Sequence, residues 1–328
     1  MPTALVKFLA VSVLLAVAAA HGADYDPLAI DAGFRPRMED LTVRDAARNR
    51  DIPIRVYLPA GTGPAAVVLF SHGLGGSRAG SRFLGEHWAA RGYVAVFLQH
   101  PGSDESVWKE QPVGHWMDSL KRAASLENFL LRVRDVPAVL DQLQTWDSTR
   151  TNPLCGRLDL NHIGMSGHSF GAITTEAVSG ETLPMSGQKL TDRRIKAAVI
   201  FSPSTPRTGS ADEAFGAVKI PWLLMTGTRD LAPIGDADMK SRLGVYPALH
   251  GAPKYEVVLF NAEHSVFTDR PLPGDTAPRN PNHHRVILAL STAFWDAYLR
   301  GDAHARAWLN GKGPRSVMET QDQWQAAP

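Results

Sequence analysis

The chain has 328 residues, with 34 Lys+Arg against 33 Asp+Glu and a formal net charge of +1. Hydrophobic residues make up 44% and charged residues 20%, with 28 Gly and 23 Pro. That mixture excludes intrinsic disorder, collagen-like repeats and a coiled coil, and the balanced charge gives no electrostatic ground for a nucleic-acid partner or an anionic membrane surface.

Residues 4–20 read ALVKFLAVSVLLAVAAA. Lys7 stands near the start, an apolar run follows, and small residues close it. This is the layout of a secretory signal peptide, with cleavage after Ala20 or after Gly22. Residues 8–20 are too few for a bilayer span, which needs about 20 apolar residues. The expectation is therefore a signal peptide over residues 1–22, export to the periplasm or beyond, no stable membrane anchor, and one domain over residues 23–328. Cys155 is the only cysteine, so no intramolecular disulfide forms. It is expected as a small buried hydrophobe.

Residues 41–59 predict two strands around a polar turn at Asn49, Arg50 and Asp51. The apolar run 64–70 predicts a buried strand, and SHGLGGSRAG follows it. Residues 81–92 have helical spacing and a Gly stop, and 93–100 form another buried-strand run. A helical pattern covers 120–145, with Pro137 inside it predicting a kink or a break. Then come strand-like 161–167, helical 170–180, strand-like 195–201 and 221–227, a polar helix near 236–249, strand-like 255–260 and helical 286–299. The tail after Gly301 is polar and is expected to pack loosely. Buried apolar strands alternating with helices predict an α/β fold: one domain, a mostly parallel central sheet and helices on both faces.

Gly167-His168-Ser169-Phe170-Gly171 is the one G-x-S-x-G in the chain. An apolar strand leads in and a helix leads out, which is the setting of a nucleophile elbow. A serine alone is a weak nucleophile and needs a base, an orienting acid and an oxyanion hole. Ser71-His72-Gly73-Leu74-Gly75-Gly76 ends an earlier strand. The backbone N–H groups of Leu74 and Phe170 are therefore the expected oxyanion donors, with His72 shaping the loop. Asp230, at the end of the strand 221–227, is the expected acid, and His264, after the strand 255–260, the expected base. His283 and His284 are the reserve for the base, and Glu263 is too close in sequence to serve His264 as its acid.

Other patterns carry less. Residues 61–66 fit G-x-G-x-x-A but precede a strand, and 106–109 and 186–189 both fit S-x-x-K without the partner motifs. No zinc or phosphate-loop pattern is present, so neither metal nor cofactor is assigned.

The segments FSHGLGGSR (70–78), HPGSD (100–104), GHSFGA (167–172), TGTRD (226–230) and EHSVF (263–267) resemble the α/β-hydrolase superfamily. More narrowly, they resemble its secreted bacterial members of the dienelactone-hydrolase-like and platelet-activating-factor-acetylhydrolase-like group. The resemblance spans about residues 64–300 and implies an α/β-hydrolase fold and carboxylic-ester hydrolysis. Dienelactone hydrolase uses a cysteine nucleophile, whereas Cys155 here lies outside the elbow. Platelet-activating-factor acetylhydrolase carries its acid after the preceding strand, where this chain has SPSTP. The place of Asp230 is more similar to cutinase-type polyester hydrolases.

The leading expectation is a serine esterase acting on small or polymeric esters. A peptidase or thioesterase with the same triad is the alternative within enzymes. A catalytically inactive hydrolase-fold binding protein is the alternative outside them. Only residues 202–220 separate two central strands where many relatives insert a cap, so no large cap is expected. The site is then an open cleft with Trp108, His115 and Trp116 supplying aromatic surface, and Trp108 and Trp116 as candidate substrate contacts.

Overall fold

The computed structural model describes residues 25–183, 186–235, 237–272 and 274–328. The apolar run read as a signal peptide lies outside the described residues.

Among the described residues, nine strands form one sheet in the order β1-β2-β4-β3-β5-β6-β7-β8-β9. They are β1 (Arg37–Asp45), β2 (Arg50–Leu58), β3 (Ala65–Ser71), β4 (Val94–Leu98), β5 (Leu158–His168), β6 (Ile195–Phe201), β7 (Trp222–Arg229), β8 (Lys254–Glu263) and β9 (Gln323–Ala327). The run from β4 through β3 and β5 to β8 is parallel, while β1, β2 and β9 add antiparallel pairings at the two edges. This is the α/β architecture expected from buried strands alternating with helices.

The period-2 alternation of a strand divides the core. In β3, Val68 and Phe70 face the helices Arg82–Ala90 and Pro281–Leu299. Val67 and Leu69 face the helix Leu126–Ser148. In β6, Ala197, Val199 and Phe201 join the first side, and Ala198 and Ile200 pack with Phe215 and Trp222 on the other. Strands β3 to β8 are thus covered on both faces. Among the described residues, no helix is long and apolar enough to cross a membrane.

Four local expectations need correction. The turn between β1 and β2 occupies residues 46–49, and Arg50 already opens β2. Asn49 takes the turn's positive φ of 50°, which Asn tolerates better than most residues. The helical pattern breaks ahead of Pro137, between the helices Trp116–Ala123 and Leu126–Ser148. Ser125 caps the second by accepting the Asn128 N–H at 3.2 Å. Pro137 lies within a continuous helix, where burial of Val133, Val136, Val139 and Leu140 offsets its missing N–H.

The tail after Gly301 is packed. It forms the helices Ala303–Asn310 and Gly313–Val317, buries Ala305 and Leu309 in the core, and returns as β9. Trp324 stacks on Tyr255, and buried Asp322 accepts the Phe260 N–H at 2.7 Å. Cys155 is half-exposed, and its neighbour Leu154 takes the core position instead.

Candidate active site

Parallel strands bring their carboxyl ends to one edge of a sheet, where α/β proteins build their sites. Here Ser71 of β3 pairs with Gly167 of β5, His168 with Phe201 of β6, and Phe201 with Met225 of β7. The segments that follow β3, β5, β7 and β8 therefore converge. They carry Leu74, Ser169, Asp230 and His264.

The elbow follows from sterics. Ser169 sits at φ 58°, ψ −114° between β5 and the helix Phe170–Ser179, a strained conformation for a residue with a Cβ. Its N–H donates to the Phe201 carbonyl at 3.0 Å. A Cβ at Gly167 would stand 2.2 Å from the Gly171 carbonyl oxygen, and one at Gly171 would stand 1.9 Å from the Ser71 carbonyl oxygen. Both positions flanking the serine at a distance of two must therefore be glycine, which accounts for the spacing of the motif.

His264 lies between the other two residues. Its Nε2 is 2.9 Å from Ser169 Oγ and its Nδ1 is 2.6 Å from Asp230 Oδ1. Asp230 is fully buried. Burial alone would raise its carboxyl, but facing His264 and the Arg242 cation outweigh it and hold Asp230 well below the ordinary carboxylate range. An ionised Asp230 only accepts, so His264 Nδ1–H donates to it. Nε2 is left to accept the Ser169 O–H, which is the tautomer a general base requires. Thr226 Oγ donates to Asp230 Oδ2 at 2.8 Å and fixes the second carboxylate oxygen.

Sequence reasoning missed two residues here. Arg242, on the short helix Met239–Leu243, is buried. It donates to the carbonyls of Ser202 at 2.8 Å and Pro203 at 3.0 Å. Its Nη2 stands 3.4 Å from Asp230 Oδ1 and 3.5 Å from His264 Nδ1. His168, the residue just before Ser169, is buried beside His264, with ring centroids 4.6 Å apart. Burial holds its imidazole well below the ordinary range, so it is neutral, and its Nε2–H donates to the His264 carbonyl at 3.0 Å. The turn thereby contacts His264 through the His168 side chain as well as through Ser169. No spacing rule points to either contact. The buried charge of Arg242 becomes visible only once β6, β7 and β8 are side by side.

The N–H groups of Leu74 and Phe170 have no acceptor among the described residues. Gly73 packs against Ser169, since a Cβ there would stand 3.5 Å from Ser169 Cβ. Phe170 opens the helix, where backbone N–H groups have no intrahelical partner and the helix dipole favours negative charge. His72 is buried, its Nδ1–H donating to the Gly73 carbonyl at 2.6 Å.

The reserve histidines lie elsewhere. His283 Nε2 donates to the Phe260 carbonyl at 3.0 Å, and His284 Nε2 is 2.9 Å from the Val266 carbonyl with its ring stacked on Phe83. They tie the helix Pro281–Leu299 to β8 and its turn, and the N-cap of that helix is Asn280. Glu263 accepts the N–H groups of Thr276 and Ala277. Trp108 and Trp116 meet edge to face at 4.9 Å. Trp108 Nε1 donates to the Gly75 carbonyl at 2.8 Å, so its indole braces the loop that carries Leu74. Trp116 is half-buried and His115 exposed beside it.

Ser169, Phe170 and Leu74 are each partly exposed. Residues 202–220 hold one short helix, Ala211–Phe215, opened by a capping box between Ser210 and Glu213. A cavity of about 110 Å³ lies beside the His264 turn, with Glu263, Ser265, Asp275, Arg279 and His284 in its lining and not Ser169. Among the described residues, no group of three or more His, Cys, Asp or Glu side chains is arranged to hold a metal ion.

In comparisons with known proteins, no protein-family model and no curated protein matches the chain.

Proposed function

We propose that the chain is a serine hydrolase of the α/β-hydrolase fold that cleaves carboxylic esters through an acyl-enzyme intermediate. The observation that carries this reading is the directed relay Ser169 O–H to His264 Nε2, His264 Nδ1–H to Asp230, ending on a buried ionised carboxylate. His264 takes the Ser169 proton as Oγ attacks the ester carbonyl. Leu74 and Phe170 N–H groups receive the oxyanion. His264 returns the proton to the leaving alcohol, and water repeats the sequence on the acyl enzyme. The signal-peptide pattern of residues 4–20 supports action outside the cytoplasm.

The exposed reacting face and the single short helix between β6 and β7 support an open cleft that accepts varied acyl groups, including one segment of a polymeric ester. Enclosure is what makes small-molecule sites tight, so individual small esters should bind weakly. A series of p-nitrophenyl esters of increasing chain length, run beside an anilide, tests this. Hydrolysis across short to medium chains, without acceleration at the solubility limit, is expected. A preference for the anilide would favour a peptidase, and a sharp rate increase at the solubility limit would indicate a moving lid.

A further inference from the structure

A second serine–histidine–aspartate chain lies behind the first. His100 follows β4, its Nε2 2.9 Å from Ser71 Oγ and its Nδ1 2.9 Å from Asp135 Oδ2. Ser71, His100 and Asp135 have no solvent exposure at all, so no substrate reaches Ser71 and this is no second catalytic centre.

Its hydrogen bonds have a fixed direction. Burial would raise the Asp135 carboxyl, but bonds from His100 and Arg50 hold it low and ionised. Burial and the Arg132 cation push His100 down to about 4, so its ring is neutral at pH 7. Nδ1–H donates to Asp135, and bare Nε2 accepts the Ser71 O–H. Ser71 Oγ in turn accepts from Arg132 Nη2 at 3.2 Å.

Arg132 is fully buried. Its Nη2 also donates to the His72 carbonyl, and its Nη1 donates to Ser103 Oγ at 3.2 Å. The Ser103 carbonyl accepts the Gly75 N–H at 2.9 Å. Its guanidinium lies over the Phe170 ring, 4.6 Å from the centroid. His72 Nε2 accepts the His100 N–H at 3.2 Å. One cation therefore holds the segment just before Leu74, reaches the segment just after it through Ser103, and lies over the side chain of Phe170. The N–H groups of Leu74 and Phe170 have no acceptor among the described residues.

We propose that Arg132, held in register by the buried Asp135–His100–Ser71 chain, is the positioning residue of the oxyanion hole. It sets the two N–H groups at one geometry, and its buried charge favours the negative charge that grows there. The inference rests on the ester-hydrolase reading above, in which Leu74 and Phe170 are the donors.

The test uses the full chain with Arg132→Met, Arg132→Lys, His100→Gln and Ser71→Ala. Measured are kcat and KM on p-nitrophenyl butyrate, inhibition by phenylboronic acid, which forms a tetrahedral adduct on the nucleophile, and the urea midpoint. Arg132→Met is expected to lower kcat on the order of 10^2-fold, the size of losing one oxyanion donor. KM should stay within about threefold, and boronate affinity should fall in step with kcat, because only the tetrahedral species uses the hole. Arg132→Lys keeps the charge but not the fork and should recover part of kcat. Should Arg132→Met fail to fold, His100→Gln and Ser71→Ala carry the test, with a loss of about tenfold in kcat and boronate affinity each. A fall in urea midpoint alone, with kcat and boronate affinity within twofold in His100→Gln and Arg132→Lys, would overturn the inference. A parent chain that hydrolyses no ester would instead overturn the reading beneath it.

Discussion

Arg242 Nη2 stands 3.4 Å from Asp230 Oδ1, so the buried acid faces both a histidine and an arginine. The carboxylate would be costly in this position without compensation; the Arg242 cation supplies charge and the His264 Nδ1–H a hydrogen bond.

This relationship predicts the behaviour of Arg242→Met. Loss of one member of a buried ion pair should destabilise the fold by about 3 kcal/mol. It should also remove a group 3.5 Å from His264 Nδ1 and 3.4 Å from Asp230 Oδ1, so kcat should fall on the order of tenfold as that pair loses its brace. Urea unfolding and an ester assay check both. An unchanged kcat would mean that Arg242 serves only the fold.

Gly171→Ala tests the elbow. The added methyl would lie 1.9 Å from the Ser71 carbonyl oxygen, which is backbone and has little freedom to move. A loss of about 3 kcal/mol or more, with activity lost in parallel, is expected from urea titration and ester assay. A variant within about 1 kcal/mol of the parent would show that the close approach of β3 and the elbow helix is not required.

Glu256 tests the link between titration and stability. It is buried on β8, its Oε1 without a hydrogen-bond partner among the described residues, and burial pushes its carboxyl up to about 7 although Gln325 donates to Oε2. A raised folded pKa means that the folded chain binds more protons than the unfolded one between about 4.5 and 7, so this residue's contribution falls as pH rises through that window. Glu256→Gln should therefore be more stable than the parent at pH 8, by about 1–3 kcal/mol, and nearly equal at pH 4. Thermal unfolding at both values decides it, and a gain equal at both would refute the protonation argument.

Legibility in the sequence followed the range of the interaction. The alternation of buried strands and helices was readable, because each strand carries its own run of apolar residues. The convergence of Ser169, Asp230 and His264 was readable too, since each sits just past a strand of a parallel sheet and shares its carboxyl edge. The rest depends on contacts across long separations. His168 reaches His264 across 96 residues, and Arg132 reaches Ser71 across 61. Neither is marked by a local pattern. Pro137 misled because its cost is local while the buried face that offsets it is tertiary. The tail misled for the opposite reason: its polar composition hides a few apolar anchors, Ala305 and Leu309, and one buried carboxylate, Asp322.

The central claim is that Ser169 is a nucleophile activated by His264. Reaction of the purified chain with a fluorophosphonate, followed by peptide mass spectrometry, tests it most directly. One adduct per chain on the peptide containing Ser169 is expected, lost in Ser169→Ala and slowed on the order of 10^3-fold or more in His264→Ala, with both variants folded. No adduct on the parent, or an adduct that persists in Ser169→Ala, would contradict it.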